Sequence, residues 1–264
     1  MKVVIKLGGT LLDGPESLRA LARQLAQISS RHQTVVVHGG GKQVTRFLEE
    51  RGIQSRFKNG LRVSDAAVID AVTQVIAGGI NKQLVSAVTA AGRSAVGLSG
   101  VDGLLTRAAP WDTDLQFVGK PVETDPKLLD LLIGANYLPV IACLAADGEG
   151  NIYNVNADEM AVSCAVGWQA SKLLFITDVP GVKDENGKVL SQLSSESMKQ
   201  MIESGVARGG MQAKLQAAET ALQAGLEVLI ASGAEPDICA RLLAGERLGT
   251  RLGREETATG ACSR

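Results

Sequence analysis

The sequence predicts an α/β protein, a three-layer αβα sandwich around an open, mainly parallel central sheet. Two observations carry that expectation. Short apolar runs close on glycine turns, and each turn leads into a stretch with helical spacing, an order that starts at the N-terminus and repeats. Open sheets of this kind bind ligands at the carboxyl ends of their strands, so the glycine turns are where function is expected.

The first strand is expected over Val3 to Leu7, a β-branched run that closes on Gly8-Gly9. Pro15 to Ser29 follows, with Leu18, Leu21, Leu25 and Ile28 at helical spacing. Thr34 to Val37 forms a second strand, closed by His38-Gly39-Gly40-Gly41 and another helical stretch. Ala66 to Ala91 reads as one long helix loosened at Gly78-Gly79. Its apolar content exceeds what a single buried face needs, which leaves two readings: burial all round, or a face that also meets another subunit. Further strands are expected over Ala95 to Leu98, Leu138 to Ala142, Lys172 to Thr177 and Glu227 to Ala231, each bounded by Gly, Pro or Asp. The stretch from Ala146 to Asn151 carries the turn residues of a surface hairpin and marks the expected boundary between an N-terminal lobe, 1–146, and a C-terminal lobe, 147–252. Residues 253–264 lack apolar periodicity and are expected to be a flexible tail.

Composition narrows the function. The 264-residue chain is 45% hydrophobic, enough to bury the core of one large domain or two packed lobes. Lys and Arg total 27 against 28 Asp and Glu, so the basic excess that accompanies phosphate-backbone binding is missing and nucleic acid is not an expected partner. Cys143, Cys164, Cys239 and Cys262 are far apart, without a CxxC pair or a nearby histidine, and are expected to be buried free thiols; no metal site is expected. The N-terminus lacks the long apolar run of a signal peptide, and no stretch reaches the ~20 apolar residues of a membrane span, so a cytoplasmic, membrane-free enzyme is expected.

Several short patterns could hold a phosphate. Gly39-Gly40-Gly41-Lys42 lacks the earlier glycine and the following Ser or Thr of a P-loop, and neither glycine turn has dinucleotide-binding spacing. Lys6-Leu7-Gly8-Gly9 stands out because a lysine sits in a strand that otherwise reads as buried on both faces. Unpaired, such a lysine is expensive; beside bare backbone amides and a helix N-terminus it makes an anion site. Asn154-Val155-Asn156-Ala157-Asp158 precedes an apolar helix from Met160 onward, so Asn156 or Asp158 reads as its N-cap. Thr177 to Val182 reads as a turn after a strand, able to curl round a nucleotide. Gly209-Gly210-Met211 opens a helix over Lys214 to Ala224, where a lysine one turn in ordinarily belongs to solvated surface.

In order along Met1 to about Leu252, these segments resemble the acetylglutamate kinase branch of the amino-acid kinase family. The resemblance is carried by KLGG (Lys6 to Gly9), VHGGGK (Val37 to Lys42), KNGLRVSD (Lys58 to Asp65), NVNAD (Asn154 to Asp158), TDVPGV (Thr177 to Val182) and GGMQAK (Gly209 to Lys214). It implies the amino-acid kinase fold, with Lys6 and Lys214 stabilising a transferring phosphoryl group and Asp158 orienting both. It implies further that Gly8, Gly9, Gly40 and Gly41 line the phosphate path and substrate cleft, that Arg62 takes the substrate α-carboxylate, and that Asn154 contacts the substrate. Asp178, Val179, Pro180, Gly181, Val182, Val206, Ala207 and Arg208 correspond to ATP-binding segments. The implied reaction moves the γ-phosphoryl group of ATP, carried with Mg2+, onto the side-chain carboxylate of N-acetyl-L-glutamate in arginine biosynthesis. In this family, arginine-inhibited hexameric members carry an extra helix before the first strand. Here the first strand begins almost at Met1, which on this resemblance implies a homodimer not strongly inhibited by arginine.

The residues suit that chemistry. A side-chain carboxylate with a pKa near ~4.3 is already an anionic nucleophile at neutral pH, so no general base is needed. The obstacle is bringing two anions together, which lysines, backbone amides and helix N-termini offset. Two alternatives stay open on sequence: another family member acting on N-acyl-aminoadipate or a related acid, and a non-catalytic nucleotide-binding module with the same fold.

Overall fold

The structure, a computed structural model, describes residues 1–253. Apart from Gly253, the expected tail lies outside them, as does Cys262.

The chain opens with β1 (Lys2–Leu7), α1 (Pro15–Ser29), β2 (Gln33–His38) and α2 (Gly41–Glu49). A small hairpin, β3 (Phe57–Lys58) with β4 (Leu61–Arg62), leads into α3 (Ala66–Val72), a π-helical stretch over Thr73–Ile80, and α4 (Asn81–Ala90). There follow β5 (Ala95–Ser99), β6 (Thr106–Pro110), β7 (Val118–Thr124), α5 (Lys127–Gly134), β8 (Leu138–Ala142), β9 (Leu144–Ala146) and β10 (Ile152–Val155). The chain continues through α6 (Ala157–Gly167), β11 (Lys172–Thr177), β12 (Gln192–Leu193), α7 (Ser195–Glu203), α8 (Gly209–Gln223), β13 (Glu227–Ser232), α9 (Ile238–Leu243) and β14 (Thr250–Leu252).

Eight strands form one sheet in the order β12-β14-β13-β11-β1-β2-β8-β5. The run from β13 to β5 is parallel, and β14 pairs antiparallel to β13. The mixed, mainly parallel sheet matches the expected class, and it passes through both halves of the chain, with β11 paired to β1. Residues 147–151 turn between the antiparallel strands β9 and β10, which belong to a four-stranded barrel with β6 and β7. Sequence periodicity does not reveal that barrel, because its strands are short and two of them carry Pro110 and Pro121.

Side-chain alternation divides the core in two. Val3, Ile5 and Leu7 of β1 pack with Leu21, Leu25 and Ile28 of α1 and with Leu84 and Val88 of α4. Val4 packs on the other face, with residues of α6 and α8 such as Met160, Ala161, Leu215 and Ala218. Lys6 follows Val4 by two positions, so the strand pleat sends it to the α6–α8 face.

The long expected helix is continuous, but its middle widens to π geometry over Thr73–Ile80, which includes Gly78-Gly79. Val68, Ala71, Val72 and Ile76 bury into one core layer, and Ile80, Leu84 and Val88 into the other. Ala67, Gln74, Gly78, Gly79 and Gln83 are exposed, so the helix is not buried all round.

Candidate active site

The carboxyl ends of β1 and β2 and the start of α6 converge on a buried charge cluster. Register pairs Lys6 with Phe175 of β11, and both point to the face covered by α6 and α8. Lys6 Nζ lies 2.7 Å from Asp158 Oδ1. Lys214 Nζ donates to Asp158 Oδ1 at 3.0 Å and Oδ2 at 2.9 Å, and sits 4.8 Å from the centre of the Phe175 ring. Lys6, Asp158 and Lys214 are 9%, 7% and 5% exposed, so two cations from opposite ends of the chain share one buried carboxylate.

That burial corrects the expectation for Lys214 drawn from helical pattern. The lysine lies on the inner face of α8 with Leu215, Ala217, Ala218 and Ala221, and α8 packs on α6. A small-residue face allows close helix approach, which seals the ammonium group away from water.

The electrostatics follow from one carboxylate serving two cations. Burial opposes ionisation of Asp158, but the charges and hydrogen bonds of Lys6 and Lys214 outweigh it and hold the carboxyl pKa at about 2. For Lys214, burial and the repulsion of Lys6 outweigh the attraction of Asp158, and its pKa falls from 10.5 to about 8. The cluster therefore carries excess positive charge that a phosphoryl group would relieve.

Asp158 is set by its helix. Asn156 is the N-cap of α6, its Oδ1 accepting from Asp158 N at 2.8 Å and Glu159 N at 3.3 Å. Of the two N-cap candidates in the sequence, the cap falls to Asn156 and leaves Asp158 free for the lysines.

Beside the cluster is a cavity of about 160 Å³ lined by Gly39, Gly40, Gly41, Arg62, Asn154 and Cys143, among others. It adjoins the charges: the Cys143 thiol, raised to about 12 chiefly by burial, also feels Lys6 and Asp158. Arg62, on β4 of the small hairpin, is 8% exposed. One guanidinium nitrogen donates to Gly41 O at 2.9 Å and Thr45 Oγ1 at 2.7 Å, another donates to Ser55 Oγ, and the Phe57 ring lies 4.8 Å away. Asn154 Nδ2 donates to Ser64 Oγ at 3.1 Å. Thr45, Ser55 and Ser64 escape sequence reasoning because hydroxyls scattered over 20 residues have no periodic signal; they matter only once the hairpin folds over α2.

The remaining predicted residues lie as follows. Gly8 N donates to Ile176 O at 2.8 Å, tying the β1 glycine turn to β11, and Gly9 opens the short turn that follows. Asp178 accepts from Thr177 Oγ1 at 3.1 Å at the end of β11. Val179 and Pro180 continue the loop, and Gly181, at φ 156°, abuts Thr250, whose Oγ1 accepts from Val182 N at 2.9 Å. Val206 is 38% exposed, Ala207 is buried, and Arg208 is the N-cap position of α8, which has no side-chain cap. Lys6, Asp158 and Lys214 thus form one cluster, and Gly40, Gly41, Arg62 and Asn154 one cavity. The loop 178–182 and the 206–208 segment flank the C-terminal half of the sheet, and Val182 and Ala207 bury in the same core layer as Leu215.

A mainly parallel αβα sheet thus carries two buried lysines on one carboxylate, next to an arginine-bearing cavity, an arrangement suited to anions. The amino acid kinase family profile matches residues 1–232, and the chain belongs to that family and is a kinase. It is 50% identical over 254 residues to an acetylglutamate kinase of Solibacter usitatus, covering 96% of this chain and 99% of that protein. With an acetylglutamate kinase of Acidobacterium capsulatum the identity is 44%, covering 90% and 95%. Among solved structures, N-acetylglutamate synthase from Neisseria gonorrhoeae, complexed with coenzyme A and N-acetyl-glutamate, superposes with a TM-score of 0.85 at 25% identity, covering 96% of this chain and 59% of that one. Carbamate kinase from Giardia shares the fold at a TM-score of 0.70 and 17% identity, over 95% and 98% of the two chains.

Proposed function

We propose that the chain transfers the γ-phosphoryl group of ATP to the side-chain carboxylate of N-acetyl-L-glutamate, giving N-acetyl-L-glutamyl 5-phosphate and ADP for arginine biosynthesis. The observation that carries this reading is the Lys6–Asp158–Lys214 cluster opening beside a cavity that holds Arg62 and Asn154. The near-full-length likeness to acetylglutamate kinases supports the choice of acid.

In this reading Lys6 and Lys214 neutralise charge on the transferring phosphoryl oxygens. Burial and the nearby Lys6 charge lower the Lys214 pKa to about 8, so an incoming anion relieves both. Asp158 acts as an organiser: with a pKa of about 2 it stays ionised and holds both ammonium groups, which makes it a poor base. The acid substrate brings its own nucleophile, its α-carboxylate on the Arg62 fork and its polar groups on Asn154 and the amides of Gly40 and Gly41. Gly8 and Gly9 let the backbone come close to the phosphates. The loop 178–182 and residues 206–208, with the uncapped start of α8, hold the nucleotide.

Magnesium supplies further charge neutralisation when it arrives with the nucleotide. Among the described residues no group of three or more His, Cys, Asp or Glu could hold a metal, and Asp158 is engaged by two ammonium groups. That donor set fits an ion carried by phosphate oxygens and water.

Residues 1–146, completed by Asn154, then bind the acid and self-associate, and residues 147–252, completed by Gly8 and Gly9, bind ATP. The exposed face of the α3–α4 helix, with Gly78-Gly79 allowing close approach, is the contact of a homodimer. We place the enzyme in the cytoplasm; no helix among the described residues is long and apolar enough to cross a membrane.

The test is acyl-phosphate trapping by hydroxylamine with ATP and N-acetyl-L-glutamate, glutamate, aspartate or N-acetyl-aminoadipate in parallel. Hydroxamate from N-acetyl-L-glutamate alone supports the assignment. A different preferred acid would overturn the substrate while keeping the lysine roles, and no hydroxamate from any acid would favour a non-catalytic nucleotide-binding module.

A further inference from the structure

His38 ends β2, is fully buried, and has no part in the chemistry described above. Strand alternation puts it with Val36 on the α1–α4 face of the sheet, opposite to Val35 and Val37. Its Nδ1 lies 3.0 Å from Gly39 O, and its Nε2 lies 3.0 Å from Asn81 Nδ2. Asn81, 1% exposed, is the first residue of α4, immediately after the π-helical stretch.

The surroundings fix which imidazole nitrogen carries the proton. Asn81 Nδ2 lies 3.0 Å from Val140 O and 3.4 Å from Leu98 O, while Asn81 Oδ1 accepts from Lys82 Nζ at 3.1 Å. An amide nitrogen between carbonyls and an amide oxygen against an ammonium group rule out the flipped orientation. Asn81 Nδ2 therefore donates to His38 Nε2, which must be bare. The proton sits on Nδ1 and is donated to Gly39 O. Burial, opposed by the Gly39 bond and helped by the Lys82 charge, lowers the imidazole pKa to about 4, so the ring is neutral at ordinary pH.

What this bond holds is a run of three glycines that lines the cavity. Glycine backbone is free to rotate, and α2 begins without a side-chain cap, so the loop needs an external anchor. In a trans peptide the carbonyl of Gly39 and the N–H of Gly40 point in opposite directions. Holding that carbonyl on the imidazole therefore turns the Gly40 N–H away from His38. The π-helical stretch before Asn81 also confines Gly40 sterically: a Cβ there would run into Ile80 Cδ1 and lie 3.3 Å from Ile76 Cγ1. The π turn thus delivers Ile76, Ile80 and Asn81 to one loop, a placement in keeping with the frequent siting of π turns at functional positions.

We propose that His38, locked by Asn81 as its Nδ1–H tautomer, is a positioning residue that fixes the Gly39–Gly40 peptide and so aims the glycine-loop amides at the acid substrate. This inference rests on the reading that the cavity takes the acid. ATP, on the other half of the sheet, is indifferent to it.

The chain has two histidines, so the tautomer can be read from a nitrogen-15 histidine spectrum of the intact protein, with His32→Gln giving the assignment. His38 should be the neutral Nδ1–H form from about pH 5.5 to 8, a window well above its lowered pKa. Saturating N-acetyl-L-glutamate should shift its resonances and leave those of His32 in place. In kinetics, His38→Leu and His38→Gln, which cannot donate from the Nδ1 position, should raise KM for the acid about tenfold, the size of one lost hydrogen bond, with KM for ATP within about twofold. His38→Asn restores a donor at that position and should bring KM for the acid back to within about threefold of wild type. The Nε2–H tautomer, an unchanged KM for the acid in His38→Leu, or no difference between Leu and Asn would each overturn the proposal. The wild-type spectrum decides the matter by itself if the variants fail to fold. If wild type turns over a different acid, the substrate assignment fails separately, and the same comparison with that acid still tests His38.

Discussion

Replacing Lys214 with methionine should leave the protein at least as stable while removing most of its turnover. Its pKa drop from 10.5 to about 8 means that the charged form is disfavoured in the free enzyme by about 3 kcal/mol. A methionine of similar length removes that penalty and leaves Asp158 paired with Lys6. The lost contact with the Phe175 ring offsets about 1 kcal/mol of the gain. The contrasting change, Asp158→Asn, strands two buried cations and should cost about 3 kcal/mol or more. For a chain of this size that is a melting-point drop on the order of 10 °C. The sign of the pH dependence follows from linkage. Between pH 8 and 10.5 the unfolded chain keeps the Lys214 proton that the folded one has lost, so the Lys214 penalty lifts as pH rises, and the advantage of Lys214→Met over wild type fades over the same window. The assay is thermal melting by circular dichroism at pH 7 and pH 9.5, alongside turnover by hydroxamate formation. Turnover should fall by about 10²- to 10³-fold in Lys214→Met, the cost of one oriented charge in a transition state. A melting temperature well below wild type at pH 7 would refute the reasoning, because Lys214 would then be a net structural contributor. An unchanged turnover number would refute its role in transfer.

Two further outcomes follow from the same geometry. The pH profile of kcat/KM for ATP should show a basic limb near pH 8, where free Lys214 loses its proton, and the limb for kcat should move to higher pH once bound phosphates favour the ammonium form; a flat profile to pH 9.5 would contradict the charge assignment. Arg62→Ala should chiefly raise KM for the acid, by about 10- to 100-fold for a lost charge-assisted pair, with Arg62→Lys recovering little because Thr45, Ser55 and Gly41 are spaced for a planar fork; a selective loss of ATP affinity would sink that role.

Much of the sheet was legible in the sequence because its parallel strands are buried on both faces and read as short apolar runs. Leu138–Ala142 and Lys172–Thr177 fall where the pattern places them, and α1 spans Pro15–Ser29. The barrel of β6, β7, β9 and β10 and the β3–β4 hairpin were not legible, since β3, β4, β9 and β10 have only two to four residues and β6 and β7 carry proline or glycine, which leaves no period. Strands β12 and β14, at one end of the sheet and antiparallel to the rest, have two and three residues, too few to show a period.

The site divides along the same line. The sequence by itself determined the chemistry available: a lysine in an apolar strand, glycine turns at strand ends, an Asx-rich helix start, and ordered motifs that point to one family. It could not determine that Lys214 is buried, because helical spacing shows which residues share a face and not which face is covered. Only the tertiary structure decided that, by packing the small residues of α8 against α6 until two lysines more than 200 positions apart met on Asp158. Folding likewise set Thr45 and Ser55 on Arg62 and Asn81 on His38. Hydrogen bonds and ion pairs between distant segments depend on where backbone elements cross, and no local pattern of residues encodes that crossing.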